Sequence, residues 1–166
     1  MNEYVHAASP FHLSEVEEFL QGEADLLDQG DLNSWMELFS ESGTYWLPVR
    51  DGQESPLDEI SIMYENRTLM AIRCNNFGHP LAPSMEYPIR GSRILSRFQI
   101  IDHDVATGEC TVKCKFQAVI FYREQTLFAG TYTYQLKRHE NSYLIEQKRV
   151  DLINCDADHK SLLIYL

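Results

Sequence analysis

A regular alternation of apolar and polar residues runs from Cys110 to Tyr122. A period of two is typical of a strand with one buried face, and this strand is long enough to lie inside a sheet. Near its end Val119 and Phe121 make the second face apolar as well, so we expect a helix or a partner protein to cover that face. The alternating apolar or semi-apolar positions are Cys110, Val112, Cys114, Phe116, Ala118, Ile120 and Tyr122.

Helical periodicity dominates the first quarter of the chain. Ser14 and Glu17 have the spacing of a capping box and predict a helix over residues 14–29, with Gly30 as its C-terminal cap. Asp31 can cap a second, shorter helix. The apolar face of the first helix consists of Val16, Phe19, Leu20, Ala24 and Leu27. The buried side of the second consists of Leu32, Trp35, Leu38 and Phe39.

Strands are predicted after Gly43, which we expect to end the helical part. Residues 44–49 are rich in aromatic and β-branched side chains, and Pro48 predicts an edge strand because proline cannot donate to a ladder. A short strand over 60–64 and a helix capped by Asn66 follow, and the prolines within 75–88 predict a long loop. Four long strands are predicted over 89–103, 109–123, 126–138 and 142–153, and their short links make them antiparallel neighbours.

Helices followed by an antiparallel meander indicate an α+β fold. A sheet of such long strands must curl, and the first helix is the element amphipathic enough to fill its concave side. We therefore expect a cone, closed at one end by Trp35, Phe39 and strand aromatics. At 166 residues the chain is predicted to be a single domain over 1–166, with 1–13 as a loose N-terminal arm.

The charge balance excludes some functions. The chain has 25 acidic and 14 basic residues, a formal charge of −11, and would repel a nucleic-acid backbone. It contains neither an apolar run long enough to span a membrane nor the layout of a signal peptide, so we expect a cytoplasmic protein. Its four cysteines lack CxxC spacing and are interpreted as small buried hydrophobes.

Recognisable catalytic or cofactor motifs are missing from the sequence. There is no nucleophile elbow, P-loop or GxGxxG, and no spacing typical of a Rieske cluster. Cys155, Asp156 and His159 are close enough in sequence to be considered as metal ligands, but such residues in a loop are more often solvated. We expect no metal or cofactor in this chain.

Acid–base chemistry in the mouth of the cone is an alternative. An Asp/His pair there would suit a self-sufficient isomerase or dehydratase. The other interpretation is that these residues cap helices, form turns or lie in loops, because a titratable group becomes catalytic only in a pocket that shifts its pKa. The candidates by residue type are Asp28, Asp31, His79, His103, Asp104 and Asp151.

Arginines gather in one region of this acidic chain. Arg67 and Arg73 precede the first long strand, and three more lie in PIRGSRILSRF at its start. One interpretation is a solvated strand end with local carboxylate pairs. The other is a subunit interface, since arginine and aromatic residues anchor protein contacts. We expect Arg93→Glu to impair assembly more than folding. The predicted interface residues are Tyr45, Trp46, Tyr87, Arg90, Arg93 and Arg97.

The chain contains, in this order, the strings FLQGEADLLDQGDLNSWMELFSESGTYWLPV, YENRTLMAIR, PIRGSRILSRFQI, VIFYR, FAGTYTYQLKR and LLIYL. In their order and spacing these strings resemble the small (beta) subunit of bacterial aromatic-ring-hydroxylating dioxygenases. The similarity extends over nearly the whole chain from about Phe19. The terminal RVDLINCDADHKSLLIYL is most similar to the branch that acts on aromatic carboxylates of the benzoate, anthranilate or salicylate type.

The resemblance implies an NTF2-like cone and a non-catalytic, structural subunit. It implies a large (alpha) subunit as partner, in a trimer of alpha–beta pairs, that carries a Rieske [2Fe-2S] cluster and a mononuclear iron. It also implies that electrons come from NAD(P)H through a separate reductase. A non-enzymatic module that binds a ligand or another partner remains a third possibility.

Overall fold

The computed structural model describes residues 11–77, 89–159, 162 and 164–166. Three helices and six strands make up the fold. The helices are α1 (Leu13–Gln29), α2 (Leu32–Glu37) and α3 (Arg67–Phe77). The strands are β1 (Phe39–Pro48), β2 (Ser61–Asn66), β3 (Arg90–Asp104), β4 (Glu109–Tyr122), β5 (Glu124–His139) and β6 (Ser142–Leu152).

All six strands form one curved, open sheet in the order β2-β1-β6-β5-β4-β3. Neighbouring strands from β3 to β6 are antiparallel, as predicted, and α1 packs against β3 and β6 on the concave side. The predicted α+β cone is therefore confirmed. One pairing was not predicted: β1 lies parallel to β6 and joins the N-terminal hairpin to the meander.

Strand β4 lies inside the sheet, between β3 and β5, which confirms its predicted place. Six of the seven alternating positions predicted to face inward are buried, and Tyr122 is half-buried. On the opposite face, at the predicted apolar end, Phe121 is exposed and Val119 is half-buried. The inner face of β4 therefore forms one wall of the core.

Helix α1 buries the predicted stripe, with Phe19 only half-buried. Its N-terminal cap is His12, whose side chain makes no capping hydrogen bond, so the capping box predicted at Ser14 was wrong. Gly30 takes the left-handed conformation expected of a C-terminal cap (φ 72°), and Asp31 accepts a hydrogen bond from the Ser34 backbone N–H at 3.1 Å. Both of those caps are confirmed.

Two boundary predictions were wrong. Strand β1 begins at Phe39, so Leu38 caps α2 and Gly43 lies inside a strand rather than at the end of the helical part. β1 is also not an edge strand, because β2 and β6 flank it. The sheet tolerates Pro48 through a register shift between Leu47 and Pro48 at the end of the strand.

The core is rich in aromatic side chains. Trp35 lies edge-on to Phe39 and Tyr45, with ring centres 4.9 and 6.1 Å apart, and Phe116 stacks on Tyr132 at 3.8 Å. The four cysteines are free and buried. No described helix has the length and apolarity needed to cross a membrane.

Candidate functional site

The two described aromatics of the predicted interface are buried within this chain. Tyr45 is 0% exposed on the inner face of β1, where its hydroxyl accepts a hydrogen bond from the Leu166 backbone N–H at 3.0 Å. Trp46 is 3% exposed on the opposite face, with the Arg149 guanidinium 4.4 Å from its ring centre. Both side chains contact their own chain. Tyr87 lies outside the described residues.

Arg93 is also an internal residue. It lies opposite Ala118 on the inner face of the sheet, and its side chain is 3% exposed. The guanidinium pairs with Asp28 of α1, which also accepts a hydrogen bond from the Arg93 backbone N–H at 2.9 Å. Its Nη2 donates to the Tyr165 carbonyl at 2.8 Å. Arg93 therefore fixes α1 and Tyr165 to β3, so we expect its reversal to lower stability as well, and its effect on assembly stays a prediction.

The other members of the arginine group divide in two. Arg67 contacts the Phe39 carbonyl and Glu37, and Arg73 pairs with Glu65, so these two have local partners. Arg90 and Arg97 are exposed. Arg90 lies over the Phe121 ring, 4.8 Å from its centre, on the convex face of the sheet. Two of the predicted interface residues thus reach the surface.

The described acid–base candidates are not assembled into one site. Asp28 pairs with Arg93, and Asp151 pairs with Arg149 through bonds of 2.8–3.0 Å. The Ser34 hydrogen bonds lower the pKa of the Asp31 carboxyl. The turn and strand-end candidates also have local contacts: Asp104 accepts from the Ala106 backbone N–H, and the exposed His103 lies edge-on to Phe11. His79 lies outside the described residues.

The polar centre of the cone is instead an ion pair between Glu23 and Lys148, which the sequence did not predict. Both side chains are 0% exposed, and Lys148 Nζ lies 2.7 Å from Glu23 Oε1. Trp35 Nε1 donates to the same oxygen at 2.6 Å, and the Tyr134 hydroxyl donates to Oε2 at 3.0 Å. The Lys148 ammonium also lies 4.3 Å from the Tyr132 ring centre. Both carboxylate oxygens are therefore satisfied.

Burial controls the electrostatics of this centre. It lowers the pKa of Lys148, against the attraction of Glu23. It raises the pKa values of the Tyr132 and Tyr134 hydroxyls well above their ordinary value. Burial also raises the pKa of the Cys114 thiol to about 12. The tyrosines and the cysteine stay neutral at ordinary pH, which is the behaviour of a packed core rather than of groups that exchange protons with a substrate.

Each half of the ion pair carried a different sequence signal. Glu23 lies seven positions after Val16, on the apolar stripe of α1, where an isolated acid requires a buried partner. For Lys148, simple alternation along β6 predicts the wrong face of the sheet. Gln135 pairs with Gln147 but Leu136 pairs with Ile145, so one residue of β6 is extra. This bulge turns Lys148 inward, where strict alternation from Ile145 would face it outward.

A cavity of about 350 Å³ lies beside Arg93, between α1, α2 and the start of β3. Its wall is mostly apolar, with Leu27, Ile120 and Tyr165 among its lining residues. Among the residues that the structure describes, no three His, Cys, Asp or Glu side chains converge to hold a metal ion. Cys155 of the considered ligand set is buried.

The family comparison and the curated relatives identify one kind of protein. The family model described as "Ring hydroxylating beta subunit" matches residues 22–158. The chain is similar to the beta subunit of toluate 1,2-dioxygenase from Pseudomonas putida, with 26% identity over 145 residues that cover 84% of this chain and 88% of the relative.

Two solved structures share the fold. One is the beta subunit of benzoate 1,2-dioxygenase from Burkholderia mallei, with a TM-score of 0.72, 20% identity and coverage of 87% of this chain and 92% of that chain. The other is a chain of naphthalene 1,2-dioxygenase with indole bound, with a TM-score of 0.79, 19% identity and coverage of 95% and 89%.

Proposed function

Because this chain belongs to the ring-hydroxylating beta subunit family, we propose that it is the structural, non-catalytic subunit of an aromatic-ring-hydroxylating oxygenase. Beta subunits of such dioxygenases pair with an alpha oxygenase subunit. In the proposed complex three alpha–beta pairs form a trimer, and the alpha subunit acts on an aromatic carboxylate.

The filled interior of the cone is the observation that best supports a structural role. An isomerase or dehydratase of this shape needs an open pocket with a titratable group that substrate can reach. Here the interior is occupied by large side chains and by an ion pair without exposed surface. The candidate acid that lines the cavity of about 350 Å³ beside Arg93 is Asp31, whose carboxylate caps α2. The largest fully buried side chains include Trp35, Tyr45, Tyr132, Tyr134, Phe39 and Phe116.

The proposed division of labour gives the redox groups to the alpha subunit. A Rieske cluster and a mononuclear iron there would supply electron transfer and oxygen activation, with electrons from NAD(P)H through a reductase. The described residues of this chain contain no converging set of metal donors. Its own part is to hold a rigid surface against the alpha subunit, for which an antiparallel sheet with a packed aromatic core is suited.

An aromatic carboxylate is proposed as substrate because two of the similar proteins act on such compounds by name. Toluate and benzoate are both benzene rings that bear a carboxylate. This agrees with the similarity of the last residues of the chain to the branch that acts on aromatic carboxylates.

Reconstitution tests the structural role. We expect this chain, purified alone, to contain no stoichiometric iron and to hydroxylate nothing when supplied with reductase and NADH. Co-expressed with its alpha subunit, it should co-purify at one copy per alpha subunit and support product formation. Glu23→Gln/Lys148→Met in that complex should leave turnover per assembled complex unchanged. Turnover by this chain alone, or loss of turnover in a fully assembled double variant, would contradict a non-catalytic role.

The substrate class needs a separate test. The reconstituted complex is supplied with benzoate and with methyl benzoate, which keeps the ring but removes the negative charge. We expect NADH-dependent hydroxylated product from benzoate and at least tenfold less from the ester. Equal rates on the two compounds would contradict an aromatic carboxylate as substrate while leaving the structural role intact.

A further inference from the structure

Arg93 has one buried donor without an acceptor. Its Nη1 pairs with Asp28 and its Nη2 donates to the Tyr165 carbonyl. Its Nε is buried too, but has no hydrogen-bond partner in the part of the chain that the structure describes. A buried N–H without an acceptor is unfavourable, so an oxygen supplied beside Nε by another molecule would be stabilising.

The same side chain lines the cavity of about 350 Å³ between α1, α2 and β3, which we call the Arg93 cavity. A space of this volume, with an apolar wall and a few polar groups, is typical of a site for a small organic molecule. Phe77 and Tyr165 are in the wall, and aromatic side chains pack well against a flat ring. The aliphatic lining residues are Leu27, Leu32, Ile89, Ile120 and Ile164.

A second cavity of about 380 Å³ adjoins the first. The two have four lining residues in common, all of them apolar: Phe77, Ile89, Ile120 and Ile164. The shared region is therefore suited to a hydrocarbon ring, and the adjoining space leaves room for a substituent on it.

The charges at the cavity favour a neutral ligand. Arg93 and Asp31 are the charged residues of its described lining. Asp28 already balances the charge of Arg93, and hydrogen bonds from Ser34 lower the pKa of the Asp31 carboxyl, which keeps it ionised. A carboxylate ligand would therefore meet negative charge without a free cation to pair with. A hydroxyl or carbonyl oxygen can accept from Nε without that repulsion.

We propose that the Arg93 cavity binds a small neutral aromatic compound that bears a hydroxyl or carbonyl oxygen, with Arg93 Nε donating to that oxygen. Asp31 caps α2, so the site binds its ligand without transforming it. This site does not depend on the proposed function, because its ligand is uncharged whereas the substrate proposed for the complex is a carboxylate.

Fluorine NMR on the full-length chain alone tests the ligand class. The probe is 4-fluorobenzyl alcohol, compared with 4-fluorotoluene, which lacks the oxygen, and with 4-fluorobenzoate, which is charged. We expect saturable binding of the alcohol, with a Kd at least tenfold lower than that of either comparison compound. The bound alcohol should also raise the melting temperature of the chain. Absence of saturable binding, or equally tight binding of 4-fluorotoluene or 4-fluorobenzoate, would overturn the proposal.

A substitution that fills the cavity tests the location. Ile164→Trp places a larger side chain in the wall common to both cavities and should weaken binding of the alcohol at least tenfold. The matched control is Ile153→Trp, at an 80% exposed isoleucine outside the lining of either cavity, and it should leave binding unchanged. Equal binding by the two variants would place the ligand elsewhere and overturn the proposal.

Arg93→Lys tests the donor, because lysine keeps a cation for Asp28 but has no Nε–H. Binding of the alcohol should weaken at least tenfold while binding of 4-fluorotoluene stays the same. Arg90→Lys, at an exposed arginine of the same strand, should change neither. Equal losses for both compounds in Arg93→Lys would contradict a bond to the oxygen. If this variant does not fold, the comparison of the two compounds on the unmodified chain still decides whether the oxygen is recognised.

Discussion

Glu23 and Lys148 form an ion pair without exposed surface, in which the carboxylate also accepts hydrogen bonds from Trp35 and Tyr134. Lys148→Met should therefore destabilise the chain by about 3–5 kcal/mol, because an uncompensated carboxylate would remain in the core. The free energy of unfolding in urea measures this effect.

The double variant Glu23→Gln/Lys148→Met should lose less stability than Lys148→Met alone, since it leaves no unpaired charge. Lys137→Met is the matched control, because Lys137 forms an exposed pair with Glu109 at 3.8 Å and its loss should change stability little. Equal effects of the two lysine substitutions would show that the buried pair has no special role in stability.

Reversal of charge should act differently at Arg93 and Arg90. Arg93→Glu removes the partner of Asp28 and places two carboxylates together, so we expect a loss of about 3 kcal/mol or more in unfolding free energy. Arg90 is exposed, and Arg90→Glu should change unfolding free energy by no more than about 0.5 kcal/mol. A folded Arg93→Glu chain of normal stability that fails to co-purify with the alpha subunit would reverse this assignment.

Gly130 has no room for a side chain. A Cβ at this position would lie 2.0 Å from the backbone oxygen of Asp151 in β6. Gly130→Ala should therefore separate β5 from β6 locally and destabilise the chain by about 3 kcal/mol, measured by urea unfolding. Gly22→Ala is the control: nothing lies within 4 Å of its Cβ on helix α1, and it should stabilise by about 0.5–1 kcal/mol. Equal effects would contradict the close approach of the two strands.

Alkaline pH should destabilise the fold. Burial raises the pKa of the Cys74 and Cys110 thiols from 9.0 to about 11 and that of Cys114 to about 12. Above pH 9 the unfolded chain releases these protons while the folded chain retains them, so the unfolding free energy falls as pH rises. Each thiol lowers the unfolding free energy by at most about 1.4 kcal/mol per pH unit in that window. The lowered pKa of Lys148 makes the unfolding free energy rise with pH instead, but Lys148 is a single group and the thiols with raised pKa values are three.

Urea unfolding at pH 8, 9 and 10 measures this slope. Cys114→Val should make it shallower, whatever its effect on stability at pH 8, because it removes one retained proton. An unfolding free energy that stays constant or rises from pH 9 to pH 10 would contradict the assigned burial of the thiols.

Much of the fold followed from periodicity in the sequence. The alternation on β4, the apolar stripe of α1 and the caps at Gly30 and Asp31 depend on local geometry, which a sequence records directly. The family resemblance, drawn from the order of longer strings, was likewise confirmed by the family match over 22–158.

The errors concern residues whose role depends on distant partners. The inward contacts of Tyr45 with Leu166 and of Arg93 with Asp28 were not predicted, because the curvature of the sheet sets them. Phe39 continued a helical pattern, yet its pairing with Ile145 makes it the start of a strand. Lys148 was missed because a bulge that only the pairing of β5 with β6 reveals reverses its face. Such information lies in tertiary contacts rather than in local sequence.

The parallel pairing of β1 with β6 has a consequence for biosynthesis. Thr44 and Gln147 meet in this pair although 103 positions separate them along the chain. Contacts at such separation form late because loop-closure entropy opposes them. The β1–β2 hairpin can therefore join the rest of the sheet only after β6 has left the ribosome. Until then one edge of β1 is exposed to chaperones and to aggregation.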